Sequence, residues 1–221
     1  MSKPAASDSP QPRRLVDWLE ELPCRIGEIV LDRAAAGDFV LCHRDDSGRA
    51  EIKASRVAEA AEEIARYDDA GNYRPLKTAP NLRHGWLLLL RGAADVRRAL
   101  DLFYPGRVAA LEVWSRGVLA TTAFEDTLAR QTGMYRVAAK ISDEQANGLI
   151  GNFCRSDGGC LRTILWKRTA AGATPSTLLP PEKFDVRHDQ TGRGGNALPL
   201  LCQEICNLLV AEAREVVKAS D

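Results

Sequence analysis

The chain has 221 residues, enough to bury a proper core without covalent staples and room for one large or two small domains. Hydrophobic residues make up 45% and charged residues 27%, as in ordinary soluble globular proteins. Lys plus Arg and Asp plus Glu both number 30, and this zero balance argues against a dedicated nucleic-acid binder, which would carry a basic excess or a basic face.

The opening stretch, "MSKPAASDSPQPR" (residues 1–13), is rich in Pro, Ser and Ala and is expected to be a disordered tail. It lacks the apolar segment of a secretory signal. The longest apolar run, "WLLLL" (Trp86 to Leu90), is too short to span a bilayer. The expectation is a cytoplasmic protein that engages neither membrane nor nucleic acid. In a reducing compartment, its six cysteines read as metal ligands or core residues before disulfides.

Along the chain, "RRLVDWLEEL" predicts a helix with Leu15, Trp18, Leu19 and Leu22 on one face. "IGEIVLDR" and "FVLCHRDD" alternate around "AAAGD" and predict a β-hairpin. "ASRVAEAAEEIARYD" has helical periodicity, with Ser55 as N-cap. A proline-held loop, "GNYRPLKTAPNLRHG", feeds the strand "WLLLL". "ADVRRALDLFYP" follows as an amphipathic helix ended by Pro105, and "VAALEVWSRGVLATTAFEDTLARQTG" as a helical or mixed stretch.

The second half changes character. Ser142 stands three residues before Gln145, the sign of a capping box, and opens a helix leading to Cys154. "CLRTILWKR" predicts a strand starting at Cys160. A turn-rich loop from Thr169 to Pro199 follows, and such length in a compact domain is often functional. "LLCQEICNLLVAEAREVVK" predicts a last helix carrying Cys202 and Cys206. The fold class is α+β: a small mixed sheet or hairpin with helices, then a helix–loop–strand–long loop–helix unit. The boundaries are set at a tail over 1–13 and domains over 14–125 and 126–221.

Four cysteines carry the chemistry. In "NFCRSDGGC", Cys154 and Cys160 bracket a turn whose Gly158 and Gly159 allow close backbone approach and amide groups curled toward an anion. Cys202 and Cys206, at i and i+4, are expected on one helical face, about 5–6 Å apart at Cβ. Arg155, Arg162, Lys167 and Arg168 would add positive charge nearby. These features suit an iron–sulfur site held by thiolates. Structural zinc prefers tighter knuckles, with two to four residues between ligands. Buried apolar thiols remain an alternative, and disulfides the least favoured one. Cys24 and Cys42 read as core residues.

"YRPLKTAPNLRHGW" (73–86), "LARQTGMYR" (128–136) and "CRSDGGCLRTILW" (154–166) resemble the C-terminal part of certain large sirohydrochlorin cobaltochelatases. The resemblance covers roughly residues 14 to 218. It implies a stabilising domain followed by a 4Fe-4S cluster-binding domain, with the cluster motif falling on Cys154, Cys160, Cys202 and Cys206. It does not extend to the chelatase domains. Of His43, His84 and His188, none sits in the strand–turn–helix where a chelatase places its metal-binding histidine. A structural or surface role is the expectation for His84 and His188.

The resemblance implies an iron–sulfur protein that assists or regulates metal insertion into sirohydrochlorin, through redox or iron sensing or electron transfer. Its partner would be a separate sirohydrochlorin chelatase or a redox protein. The alternatives are a stand-alone electron-transfer partner of a reductase and a non-catalytic interaction module with a structural metal. No residue is assigned a catalytic role. "GRGGNA" lacks the strand context of a dinucleotide fingerprint and is expected as a loop entering the last helix. The acidic pairs Asp45–Asp46 and Asp68–Asp69 are expected to be solvated turn residues. Arg74, Lys77 and Arg83 form a basic group expected at the surface, with contact to tetrapyrrole carboxylates as the rival reading.

Overall fold

A computed structural model describes residues 15–74, 82–115, 124–153, 162–164, 196–198, 200–202 and 205–220. The tail over 1–13, Lys77, Cys154, Arg155, Cys160, Lys167, Arg168 and His188 lie outside the described residues, as does most of the loop predicted over 169–199.

The α+β expectation holds. Helix α1 (Leu15–Glu20) buries Leu15, Trp18 and Leu19. Strands β1 (Cys24–Ile26), β2 (Ile29–Arg33) and β3 (Phe39–His43) then form an antiparallel meander. The predicted hairpin is β2–β3, with Leu31 facing Leu41 and Arg33 facing Phe39 in register. Period-two alternation turns Ile29, Leu31, Phe39 and Leu41 into the core. The hairpin turn closes through the Gly37 amide donating to the Ala34 carbonyl at 2.9 Å, with Gly37 at φ +88°.

Strand β4 is the short pair Ala54–Ser55, and helix α2 (Ala60–Ile64) begins five residues after Ser55. Ser55 is therefore not the helix N-cap. Its backbone is used in parallel pairing with β5 (Leu87–Leu90), Ser55 opposite Leu88. β5 also pairs antiparallel with β3 and buries alternate residues, Leu88 and Leu90. Helix α3 (Ala93–Phe103) places Val96, Ala99, Leu100 and Phe103 at i, i+3, i+4 and i+7, which gives one apolar stripe. Helix α4 (Arg107–Ser115) adds Val108 and Leu111 to the same core.

A second core forms among α5 (Phe124–Ala129), α6 (Tyr135–Ala138), α7 (Asp143–Phe153) and α8 (Asn207–Lys218). Phe124, Leu128, Met134, Ile141, Leu209 and Ala213 fill it. The predicted capping box at the start of α7 is present. The Gln145 amide donates to Ser142 Oγ at 3.2 Å, and the Ser142 amide donates to Gln145 Oε1 at 3.0 Å.

Three short strands come from the second half: β6 (Arg162–Ile164), β7 (Asn196–Leu198) and β8 (Leu200–Cys202). β7 joins β1 in parallel and completes a six-stranded sheet in the order β4-β5-β3-β2-β1-β7. Asn196–Leu198 is thus a sheet strand and not part of a loop running into the last helix. β6 and β8 pair in parallel as a separate two-stranded unit, with α4 against β8. Leu200 is buried in the first core, so a residue from the second half of the chain helps to fill it.

Two polar expectations change as well. Asp46 is buried at 2% exposure, accepting from the Gly85 amide at 2.6 Å and from Arg49 Nη1 at 2.9 Å. Arg74 is also buried, at 6%, and desolvation lowers its pKa against the raising influence of Tyr104, Glu28 and Asp68. Neither is the solvated group that its polar neighbourhood in the sequence suggested. Arg83 remains partly exposed, with Nη2 4.0 Å from Glu63.

Candidate metal centre

The capping box fixes where α7 begins, and the helix runs through Phe153, the residue before Cys154. β6 begins two residues after Cys160, and β8 ends on Cys202. In the β6–β8 register, Arg162 lies opposite Leu200 and Ile164 opposite Cys202. The backbone therefore sets the strand that follows one predicted cysteine pair beside the strand that ends on the first cysteine of the other.

Cys202 and Cys206 do not leave one helical face. Cys202 is the last residue of a strand, and Cys206 is the N-cap of α8, with extended backbone at φ −80° and ψ 163°. The apolar run Ala197–Cys202 has no 3.6-residue period, is interrupted by Pro199, and finds strand partners on both sides of that proline. The pair is a strand end and a helix start.

Cys206 is half-buried, and its side chain makes no capping hydrogen bond to α8. The first-turn amides of a helix lack intrahelical partners, and the helix dipole favours an anion beside them. A thiolate-ligated iron–sulfur cluster is such an anion, so the Cys206 position fits it. The second core holds this end of α8 in place through Ile205, Leu209 and Ala213.

Cys24 and Cys42 are of another kind. They are 3% and 5% exposed, on β1 and β3 of the main sheet. Burial, then the Asp32 carboxylate, pushes the Cys24 thiol up to about 12. Burial, then Asp46 and Asp32, pushes the Cys42 thiol up to about 11. Both are protonated at neutral pH and therefore poor ligands or nucleophiles.

Residues 11–115 match the DR2241 stabilising domain family, and residues 116–215 match a family of 4Fe-4S iron–sulfur cluster binding domains. The two matches run in the order of a stabilising domain and then a 4Fe-4S cluster binding domain. All four proposed ligands fall in the cluster domain, and Cys24 and Cys42 fall in the stabilising domain. The chain is also similar to the crystal structure of DR2241 from Deinococcus radiodurans, at 28% identity and a TM-score of 0.64. That protein is described as a multi-domain protein with structural similarity to chelatases and two additional novel domains. The match covers 93% of this chain and 41% of that one, so this chain spans about two fifths of its relative. No curated protein matches. By these ranges the cluster domain contributes β7 to the sheet of the stabilising domain, and Leu200 to its core.

Among the described residues, no helix is long and apolar enough to cross a membrane.

Proposed function

We propose that Cys154, Cys160, Cys202 and Cys206 hold a 4Fe-4S cluster, and that the chain assists or regulates metal insertion into a tetrapyrrole of the sirohydrochlorin type. The observation that carries the reading is the cluster-domain match over residues 116–215, which contains these four cysteines and excludes the two buried ones. The strand-end and helix-cap positions of Cys202 and Cys206 support it. The link to chelation rests on the similarity to a chelatase-like protein whose length this chain spans only in part.

Such a cluster supplies one-electron redox chemistry, and metal insertion itself consumes no electrons. The fitting role is therefore sensing of redox state or iron supply, or single-electron delivery to a partner. In this reading the stabilising domain buttresses the cluster domain through the β1–β7 pairing and Leu200. The partner is a separate chelatase or a redox protein of the cytoplasm.

Anaerobic purification followed by iron and sulfide analysis tests the first half of the proposal. About four irons per chain with a reversible potential are expected; iron-free protein holding a redox-inert zinc on its cysteine thiolates would overturn it. Co-purification with a sirohydrochlorin chelatase, and its insertion rate with and without this protein, test the second half. The absence of both association and a change in rate would sink that half alone.

A further inference from the structure

We propose that His43, Asp45 and His84, with Asp69 beside them, form a binding site for a divalent first-row transition cation in the stabilising domain, separate from the cysteines. One ligand atom from each of His43, Asp45 and His84 lies within 4.8 Å of the others. His43 Nδ1 is 3.6 Å and His84 Nε2 is 3.8 Å from Asp45 Oδ2, and His84 Nε2 is 3.3 Å from Asp69 Oδ2. A tetrahedral ion with bonds of about 2.0–2.2 Å sets its ligand atoms about 3.3–3.6 Å apart. The two spacings to Asp45 need a contraction of a few tenths of an ångström, and the two histidine nitrogens, within 4.8 Å of each other, need one of up to about 1.5 Å.

The chain builds this site from three segments. His43 ends β3 and leads into the 3-10 turn Arg44–Asp46, which carries Asp45. β3 pairs with β5 so that Cys42 faces Leu87, which brings the turn before β5 alongside His43. That turn is pinned twice: the His84 amide donates to Asp69 Oδ1 at 2.6 Å, and the Gly85 amide to Asp46 Oδ2 at 2.6 Å. The two imidazole rings consequently stand with centroids 4.1 Å apart.

A second, independent feature lies behind the first ligand. His43 is 2% exposed, and its Nδ1 accepts from the Asp45 amide at 3.2 Å, so the lone pair is on Nδ1 and the ring proton on Nε2. Nε2 has no hydrogen-bond acceptor, but the buried Glu28 carboxylate lies 4.0 Å away. A carboxylate hydrogen-bonded to the far nitrogen orients histidines on metals, fixing the tautomer and raising ligand basicity; Glu28 stands 4.0 Å short of that contact and would close on Nε2 when the ion binds. Glu28 is itself held by the Leu82 amide, which donates to its other oxygen at 2.8 Å. Binding at Nδ1 displaces only the long Asp45 amide contact. On the solvent side, an open cavity of about 420 Å³, lined in part by Asp68, Asp69 and His84, provides entry.

Two imidazoles and one or two carboxylates are a borderline donor set, suited to Zn²⁺, Co²⁺ or Ni²⁺ and poorly matched to Mg²⁺ or Ca²⁺. The site does not depend on the cluster.

The test is titration of the cluster-loaded full-length chain with Co²⁺, anaerobically, by calorimetry and visible absorption. One Co²⁺ per chain is expected, with ligand-field bands and no thiolate-to-cobalt charge-transfer band. His84→Ala should abolish uptake and Asp45→Asn should weaken it about tenfold or more, with the iron content of both unchanged. Glu28→Gln should weaken uptake by about ten- to a hundredfold while leaving the stoichiometry at one. Absence of uptake by the wild-type chain overturns the proposal. So does a thiolate charge-transfer band, or undiminished uptake by His84→Ala.

Discussion

A Cβ placed on Gly27 would stand 2.7 Å from Leu200 Cδ1. The turn between β1 and β2 and the start of β8 are in contact only because residue 27 has no side chain. Gly27 also has φ +58°, and the same Cβ would meet Tyr104 Oη at 2.7 Å, the oxygen that accepts from the Glu28 amide at 3.1 Å. Gly27→Ala therefore combines a left-handed backbone, about 1–2 kcal/mol, with overpacking, about 1–3 kcal/mol. Urea unfolding should show a loss of about 2–5 kcal/mol. A change below 0.5 kcal/mol, within the range of ordinary surface substitutions, would refute this packing account.

The buried thiols predict alkaline instability. Unfolded, Cys24 and Cys42 titrate near their ordinary value of 9.0; folded, they titrate near 12 and 11. Between these values the unfolded chain binds fewer protons than the folded one, so stability falls as pH rises. The contribution is complete below pH 9.0 and is lost through about pH 11 for Cys42 and 12 for Cys24. The slope is at most about 1.4 kcal/mol per pH unit for each thiol. Denaturation midpoints from pH 8 to 11 should fall less steeply in Cys24→Ala, and an unchanged slope would contradict this assignment.

The α7 capping box predicts a local effect. Gln145 caps Ser142, and its Nε2 also donates to Ser220 Oγ at 2.8 Å, tying the start of α7 to the residues after α8. Ser142→Ala should cost about 1 kcal/mol. Hydrogen exchange should rise at the first turn of α7 before it rises in the main sheet. Uniform acceleration across both regions would mean that the cap acts globally.

Single Cys→Ser changes test the ligand assignment. Substitution at Cys154, Cys160, Cys202 or Cys206 should remove most of the iron and bleach the visible absorption. Cys24→Ser and Cys42→Ser should keep both, although a buried hydroxyl there lowers stability by about 1–3 kcal/mol. If Cys24→Ser bleached the protein, the ligand set would have to be redrawn.

Local signals in the sequence were the reliable ones. The β2–β3 hairpin follows from period-two alternation around a Gly-containing turn, and the α7 start from two residues three apart. Elements defined by distant partners were not legible. "ALPLLC" is apolar at every position but Pro199, which fits a strand or a helix equally. Its strand identity comes from β1, some 170 residues earlier, and from β6. Ser55 looks like a cap because serine before an apolar period usually is one; pairing with β5 overrides that preference. The His43–His84 pair was hidden for a related reason. The two residues are 41 positions apart, and only the β3–β5 register brings them together.

The β1–β7 pairing also sets an order of events. β1 ends at Ile26 and its outer neighbour begins at Asn196, so this seam of the sheet must wait until Asn196–Leu198 has left the ribosome. Long-range parallel pairing is slow because the intervening chain must first be organised. Until it closes, β1 presents a row of unsatisfied amides and carbonyls, the kind of edge on which strands from other molecules assemble. During synthesis, the outer edge of β1 is therefore a vulnerable surface, and a segment from the second half of the chain finally covers it.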